Sequence, residues 1–386
     1  MSKEQSTKKV RILHCGDLHL DSAFSKASIS KGEERRAELR SVFSDMMKYV
    51  RNSEIDILLI TGDLFDSEFA TSETLDLLVR EFSFCQVPVF ISPGNHDPYK
   101  EGSIYTLGKF PSNVFIFKQE GLMSVRLEAL NTTVYGWAFC DISHRFSPIA
   151  DKKVKDKSSL NIVCGHTQLD NPLSEYCPVS KSDIESFGAD YYAFGHVHVN
   201  PEQKRIGKAS YAYSGFLEGR SFDECGLGGA WLIEAEKEAN STEYKISTKR
   251  LNFARHRYET VTIDVEGLLD IPSIRNKISS TVKNLAFGPE CSLRVILTGS
   301  IPLSLSLKAL NGESYGLNYI EYKDHTTPTY NSEFLLKDMT IKGELYRYLL
   351  PMLTDGTTEE RETAARALKV ALSALENREI TTQTEL

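Results

Sequence analysis

The chain has little of what marks a membrane or secreted protein. No apolar run in its 386 residues approaches the roughly 18 needed to cross a bilayer, which excludes a transmembrane helix. The opening stretch, 1–9, is polar rather than a signal sequence, so the expectation is a cytoplasmic protein with a disordered N-terminus and no membrane partner. Its seven cysteines are odd in number and include no C-x-x-C pair, which argues against a disulfide framework in so long a chain. Cys15 and Cys164 fall inside apolar runs and read as small core residues; an oxidation-sensitive thiol is the alternative, and nothing in the sequence favours it. An excess of positive charge is also missing: the net charge is −8, whereas Lys and Arg usually supply most of the affinity for nucleic acid. Basic residues do gather at 31–40 and 151–157, as solvated faces or as DNA contacts. Ser92 and Ser214 lack the strand-to-helix elbow of an acyl-transfer nucleophile.

What is present is a run of five short segments: Asp17-Leu18-His19, Gly62-Asp63-Leu64-Phe65-Asp66, Gly94-Asn95-His96-Asp97, Gly165-His166 and Gly195-His196-Val197-His198. Each follows an apolar run (10–14, 55–60, 87–91, 160–164 and 191–194) that reads as a buried parallel strand. Groups at the carboxyl ends of strands in an open α/β sheet converge on one crevice. The ligands these segments supply, two carboxylates, four imidazoles and one amide, can therefore meet. Carboxylate, imidazole and amide together suit a borderline-hard divalent ion; Mn2+ is the first expectation, with Mg2+ or another divalent ion also open. These donors are too many for one ion and fill two sites if one carboxylate bridges. Two ions about 3.5–4 Å apart clamp the attacking and leaving oxygens of a phosphate displacement, so the expected substrate is a phosphate ester.

These residues resemble the calcineurin-like metallophosphoesterase superfamily, whose D-x-H, GD-x-x-D, GNH(D/E), GH and GH-x-H series stands here in order. Within it, the segment 62–66 followed by Ser67, and the run 88–93 before Gly94, are similar to the SbcD-type DNA repair nucleases. Asp17-Leu18-His19-Leu20-Asp21-Ser22, with Tyr213-Ser214-Gly215 leading to Gly219-Arg220, is similar to their YhaO-like branch. The resemblance covers about 1–250 strongly and is faint beyond. It implies Asp17, His19 and His198 on a first metal, Asn95, His166 and His196 on a second, and Asp63 bridging them. It further implies that His96 sits over the scissile phosphate as a proton donor oriented by Asp97, and that Arg220 contacts substrate. The implied activity is that of a dimanganese DNA exonuclease and endonuclease of DNA repair. DNA, an SbcC-like (YhaN-like) ATPase and a second copy of the chain are the implied partners.

The expected fold class is α/β: a two-sheet sandwich flanked by helices over 10–253, with a smaller mixed α/β capping domain over 256–330 and a helical segment over 331–386. Apolar spacing predicts helices over 32–50 and 72–85, which pack on the sheet or, as the resemblance implies, form a dimer interface. Short strands at 210–214, 229–235 and 243–251 are expected to complete the second sheet. Beyond the boundary, strands are expected at 258–265, 292–298 and 317–322 with a helix over 271–287. Thr357 and Glu360 form a capping box ahead of Ala364, Leu368, Ala371, Leu372 and Leu375, an amphipathic helix that docks on the ATPase or packs on its own domain. A small-molecule or nucleotide phosphodiesterase of the same superfamily is the second functional reading. The third is a non-catalytic protein that keeps the fold and binds DNA or acts as a scaffold.

Overall fold

The computed structural model describes residues 8–24, 29–66, 70–199, 201–237, 241 and 243–375. Most of the N-terminus expected to be disordered, the signature residue Ser67 and the last part of the expected helical segment, 376–386, lie outside the described residues. The chain forms two compact units, Met1–Arg255 and His256–Leu386.

In chain order the N-terminal unit runs β1 (Lys8–Cys15), α1 (Ile29–Asn52), β2 (Ile57–Ile60), α2 (Ser72–Phe84), β3 (Val89–Ile91), α3 (Ile104–Leu107), β4 (Val114–Ile116), β5 (Met123–Leu127), β6 (Thr132–Gly136), β7 (Leu160–His166), β8 (Gln168–Leu169), β9 (Pro178–Val179), α4 (Lys181–Phe187), β10 (Tyr191–Gly195), β11 (Gln203–Ile206), β12 (Ala209–Tyr213), β13 (Gly229–Lys237) and β14 (Tyr244–Asn252). Two six-stranded sheets result, ordered β14-β13-β1-β2-β3-β4 and β11-β12-β10-β7-β6-β5. Alternation along each strand assigns the faces. On β1, Val10 and Ile12 join Ile57, Leu59 and Phe90 against Leu160, Ile162, Tyr191 and Ala193 of the facing sheet. Leu13 and Cys15 turn the other way, onto Phe43 and Met47 of α1 and Leu78 and Phe82 of α2. Strands covered on both faces have little polar side to show, which is why the motif strands read as largely apolar runs, interrupted at Arg11 and His14 of β1 and Asn161 of β7.

One expectation about these sheets is overturned. Of the strands assigned from sequence to the second sheet, only β12 is there; β13 pairs antiparallel with β1, and β14 with β13. Alternation marks a strand as half-buried but does not say which edge it joins. β1 carries β2 on one side only, so its other edge was open to the hairpin.

The C-terminal unit consists of β15 (Arg257–Asp264), α5 (Ile271–Leu285), β16 (Cys291–Thr298), β17 (Ser300–Pro302), β18 (Tyr319–Asp324), β19 (Thr327–Thr329), α6 (Ser332–Lys337), α7 (Ile341–Thr354) and α8 (Thr358–Leu375). β15, β16 and β18 form a parallel sheet, and Ile274, Ile278 and Val282 of α5 pack on Leu293, Val295 and Leu297 of β16. The expected capping box is formed: Thr357 N–H donates to Glu360 at 2.7 Å and Glu360 N–H to Thr357 Oγ1 at 3.3 Å. Ala364, Leu368 and Leu372 of α8 are buried against Leu335, Tyr346 and Leu349 of α6 and α7. Three of the five apolar positions expected on this helix are thus covered within its own unit, while Leu375 stays 40% exposed. The same helix contributes Lys369, whose ammonium donates to both Asp324 oxygens at 2.7 Å and to Thr326. Asp324 is buried, so removing its counter-charge leaves a carboxylate short of partners. Lys369→Met is expected to destabilise this unit by on the order of 3 kcal/mol, read as a lower urea midpoint. An unchanged midpoint would mean that Asp324 is satisfied without Lys369.

No helix among the described residues is long and apolar enough to cross a membrane.

Candidate metal centre

All five motif segments lie at the carboxyl ends of strands, three in one sheet (β1, β2, β3) and two in the other (β7, β10). The crevice therefore opens across the paired sheet edges rather than along a single sheet. Tight turns bring the side chains in. Asp17, His19, Asp63 and His196 all have positive φ, at 53°, 44°, 48° and 101°, a conformation that L-residues adopt at a cost. Glycines leave the space: a Cβ on Gly94 would come within 2.2 Å of Asp63 Oδ1.

The imidazoles share one design. His19 Nδ1 lies 2.7 Å from Asp66 Oδ1, His198 Nδ1 lies 2.9 Å from Glu224 Oε1, and His166 Nδ1 lies 2.9 Å from the Thr61 carbonyl. An Nδ1–H committed to an acceptor leaves Nε2 as the electron-pair donor. Those Nε2 atoms face inward together. His19 Nε2 is 3.4 Å from His198 Nε2 and 3.7 Å from Asp63 Oδ2; His198 Nε2 is 3.4 Å from Asp17 Oδ1. His166 Nε2 lies 3.5 Å from Asp63 Oδ2 and 3.0 Å from Asn95 Oδ1.

Ligand atoms of Asp17, His19, Asp63 and His198 all fall within 4.8 Å of one another. Lone pairs and carboxylates pointed at one another at this range repel unless a cation lies among them, so the donor set fits a divalent metal. Burial lowers the pKa of His198, yet the bonds to Asp17 and Glu224 prevail and push it up to about 10. In the absence of a cation the site would thus draw in a proton. Asp63 faces both His19 and His166 and is the group that could be shared. His196 is the least engaged of the expected ligands. Its backbone N–H donates to Asp17 at 3.0 Å, while its ring packs 5.1 Å from that of His166 and 4.8 Å from that of Tyr176.

His96 is half exposed, its ring edge-on to that of His19 at 4.7 Å. The expected partner, Asp97, does not face it. Fully buried, Asp97 accepts N–H bonds from Asp63 (3.0 Å), Leu64 (2.7 Å) and Gly94 (2.6 Å) and the Tyr105 hydroxyl at 2.5 Å. It staples the β2 and β3 turns together and has no lone pair left to aim a ring. The carboxylate beside His96 is Asp66, whose Oδ1 lies 3.2 Å from His96 Nδ1. That hydrogen bond raises the His96 pKa. Asp66 stands within one of the five motif segments, but on a different turn from His96, and nothing local in the sequence links the two.

Arg220, expected to contact substrate, donates to Glu224 at 2.5 Å and to Ser22 Oγ at 3.0 Å, with its Nη2 lying 3.5 Å from His198 Nδ1. Glu224 was not anticipated, since nothing in its local sequence connects it to His198. Ser214 also escaped notice as part of the centre: its hydroxyl donates to Asp17 Oδ2 at 2.6 Å.

Comparison with known proteins agrees with this geometry. Residues 10–200 match the family model for calcineurin-like phosphoesterases. The chain is 24% identical over 305 residues to an uncharacterised metallophosphoesterase, YhaO, of Bacillus subtilis, across 75% of this chain and 72% of that protein. It is 24% identical over 238 residues to the DNA double-strand break repair protein Mre11 of Methanopyrus kandleri, across 56% of this chain and 50% of that one. With the SbcD component of the nuclease SbcCD of Staphylococcus epidermidis it shares 21% identity over 389 residues, across 90% of this chain and 99% of that protein.

Proposed function

Since the chain carries a calcineurin-like metallophosphoesterase domain over residues 10–200, we propose that it is a metal-dependent DNA nuclease of DNA repair. In this reading it hydrolyses phosphodiester bonds in the cytoplasm, as a homodimer working with an SbcC-like ATPase. The observation that carries the chemistry is the convergence of Asp17, His19, Asp63 and His198 within 4.8 Å, with the Nδ1 atoms of His19 and His198 each beside a carboxylate. DNA as substrate rests on relatives described as a component of a nuclease and as a break-repair protein. The nuclease component aligns over nearly its whole length.

Asp17, His19 and His198 would hold one divalent cation and Asn95, His166 and His196 a second, with Asp63 between them; Mn2+ suits this donor set. Such a pair supplies the positive charge that neutralises phosphoryl oxygens as the ester bond breaks. The chain's own residues do the rest. Asp66 accepts from His96 Nδ1 and favours the protonated ring, whose second N–H, on Nε2, is the proton source for the departing oxygen. Arg220 keeps Glu224 in place behind His198 and so supports the centre from behind. Asp97 keeps the two turns that carry Asp63 and His96 in register.

The test is digestion of end-labelled duplex and hairpin DNA by the purified protein in Mn2+, beside hydrolysis of bis-para-nitrophenyl phosphate. Shortened DNA products together with ester hydrolysis are expected. Hydrolysis of the small ester with intact DNA would point to a phosphodiesterase acting on nucleotides or other small molecules.

A further inference from the structure

One half-buried cation has no part in the chemistry above. Arg250, on β14, has carbonyls and an aromatic ring for partners. Its Nη1 donates to the Ser214 carbonyl at 2.5 Å and its Nη2 to the Phe216 carbonyl at 3.3 Å. The guanidinium carbon lies 5.4 Å from the centre of the Trp231 ring. Burial pulls its pKa down to about 10. A half-buried guanidinium with no carboxylate partner among the described residues is an expensive way to hold two carbonyls. Trp231, on the neighbouring strand β13, adds a third bond: its Nε1–H donates to the Tyr213 carbonyl at 2.8 Å. The β13–β14 hairpin thus grips the turn 213–216 at three carbonyls. Gly215 allows it, with φ at 64° and a site where a Cβ would lie 3.0 Å from Pro201 and 3.2 Å from Arg250 Nη2.

The gripped turn presents one side chain to the metal centre. Ser214 is fully buried; its N–H donates to the Phe194 carbonyl at 2.7 Å and its hydroxyl to Asp17 Oδ2 at 2.6 Å. The other oxygen, Asp17 Oδ1, faces His198 Nε2 at 3.4 Å and accepts the His196 backbone N–H at 3.0 Å, which leaves it one further lone pair. Gly16 makes space for the contact, since a Cβ there would sit 2.9 Å from Ser214 Oγ.

We propose that Arg250 is a positioning residue of the metal centre: with Trp231 it fixes the 213–216 turn so that the Ser214 hydroxyl occupies Asp17 Oδ2 and leaves Oδ1 for the cation. This rests on the metal-centre reading. It also gives a function to the attachment of β13 and β14 beside β1, because that attachment brings Arg250 and Trp231 under the turn.

The experiment is calorimetric titration of metal-stripped protein with Mn2+, for the wild type, Arg250→Met, Ser214→Ala and the double variant, with the melting temperature of each metal-free protein alongside. Each single change is expected to weaken the tighter Mn2+ step by about 10–100-fold, the usual loss when a group behind a ligand is removed. The double variant should bind no more weakly than the worse single one, because both changes break the same chain of contacts. Independent, additive losses would overturn the proposal. So would a lower metal-free melting temperature with wild-type Mn2+ affinity, which is what a purely structural arginine gives. Should Arg250→Met fail to fold, Trp231→Phe removes the N–H donor while keeping an aromatic ring, and wild-type affinity in that variant overturns the proposal equally. A wild type that takes up no Mn2+ defeats the metal-centre reading itself, whereas normal wild-type uptake with unchanged variants defeats only the role of Arg250.

Discussion

Asp63→Ala is expected to reduce hydrolysis of any phosphodiester to background and to cost metal at both sites. The reason is where its carboxylate stands. Oδ2 lies 3.7 Å from His19 Nε2 and 3.5 Å from His166 Nε2, so it faces both groups of ligands. Oδ1 also accepts the His96 backbone N–H at 2.9 Å, which ties the β3 turn to the centre. Alanine removes the shared charge and this tie together. Asp63→Asn separates the two effects, since the amide oxygen can still accept the His96 N–H but carries no negative charge. Elemental analysis of both purified variants, beside ester hydrolysis, reads the result. Two full equivalents of metal with activity retained would rule out Asp63 as the shared ligand.

His96→Ser should lower the hydrolytic rate by about 10²–10⁴-fold, the range of a positioned proton donor, with near-normal metal content. His96 stands half exposed at the rim, its ring against that of His19 and its Nδ1 beside Asp66. Losing it opens the mouth of the site without touching the inward-facing donors. Asp66→Asn should behave differently, because Asp66 Oδ1 is shared by His96 and His19. That variant is expected to lose rate and metal affinity together. Loss of one metal equivalent in His96→Ser would instead make His96 a ligand.

The strands that carry the site were readable because burial on both faces leaves largely apolar runs, and because each run ends in glycine and a polar group at the same place. That pattern marked the five segments, the resemblance picked Asp17, His19, Asp63, Asn95, His166, His196 and His198 out of them, and the structure brings these residues to one crevice. What stands behind them was not readable. Which carboxylate touches His96 depends on how two turns lie across each other, and the series of motifs offered Asp97 and Asp66 on equal terms. The immediate neighbour was the natural choice, yet Asp97 is consumed by three N–H groups and the Tyr105 hydroxyl. Glu224, Ser214 and Arg250 are far along the chain from the groups they touch, and no local periodicity records such contacts. The hairpin β13–β14 was found as strands and misplaced as to sheet for the same reason, since pairing is a non-local choice.

The positive φ angles at Asp17, His19 and Asp63 set stability against activity in this protein. A non-glycine residue in the left-handed region costs about 1–2 kcal/mol relative to one that is not so constrained, and glycine is free of that penalty. Glycine at any of these three positions would relax the backbone while removing a ligand. Selection for heat resistance alone, in medium stripped of metal, would therefore drift toward folded and inert descendants. Ligand identity at these turns can be maintained only by selection that reads the chemistry.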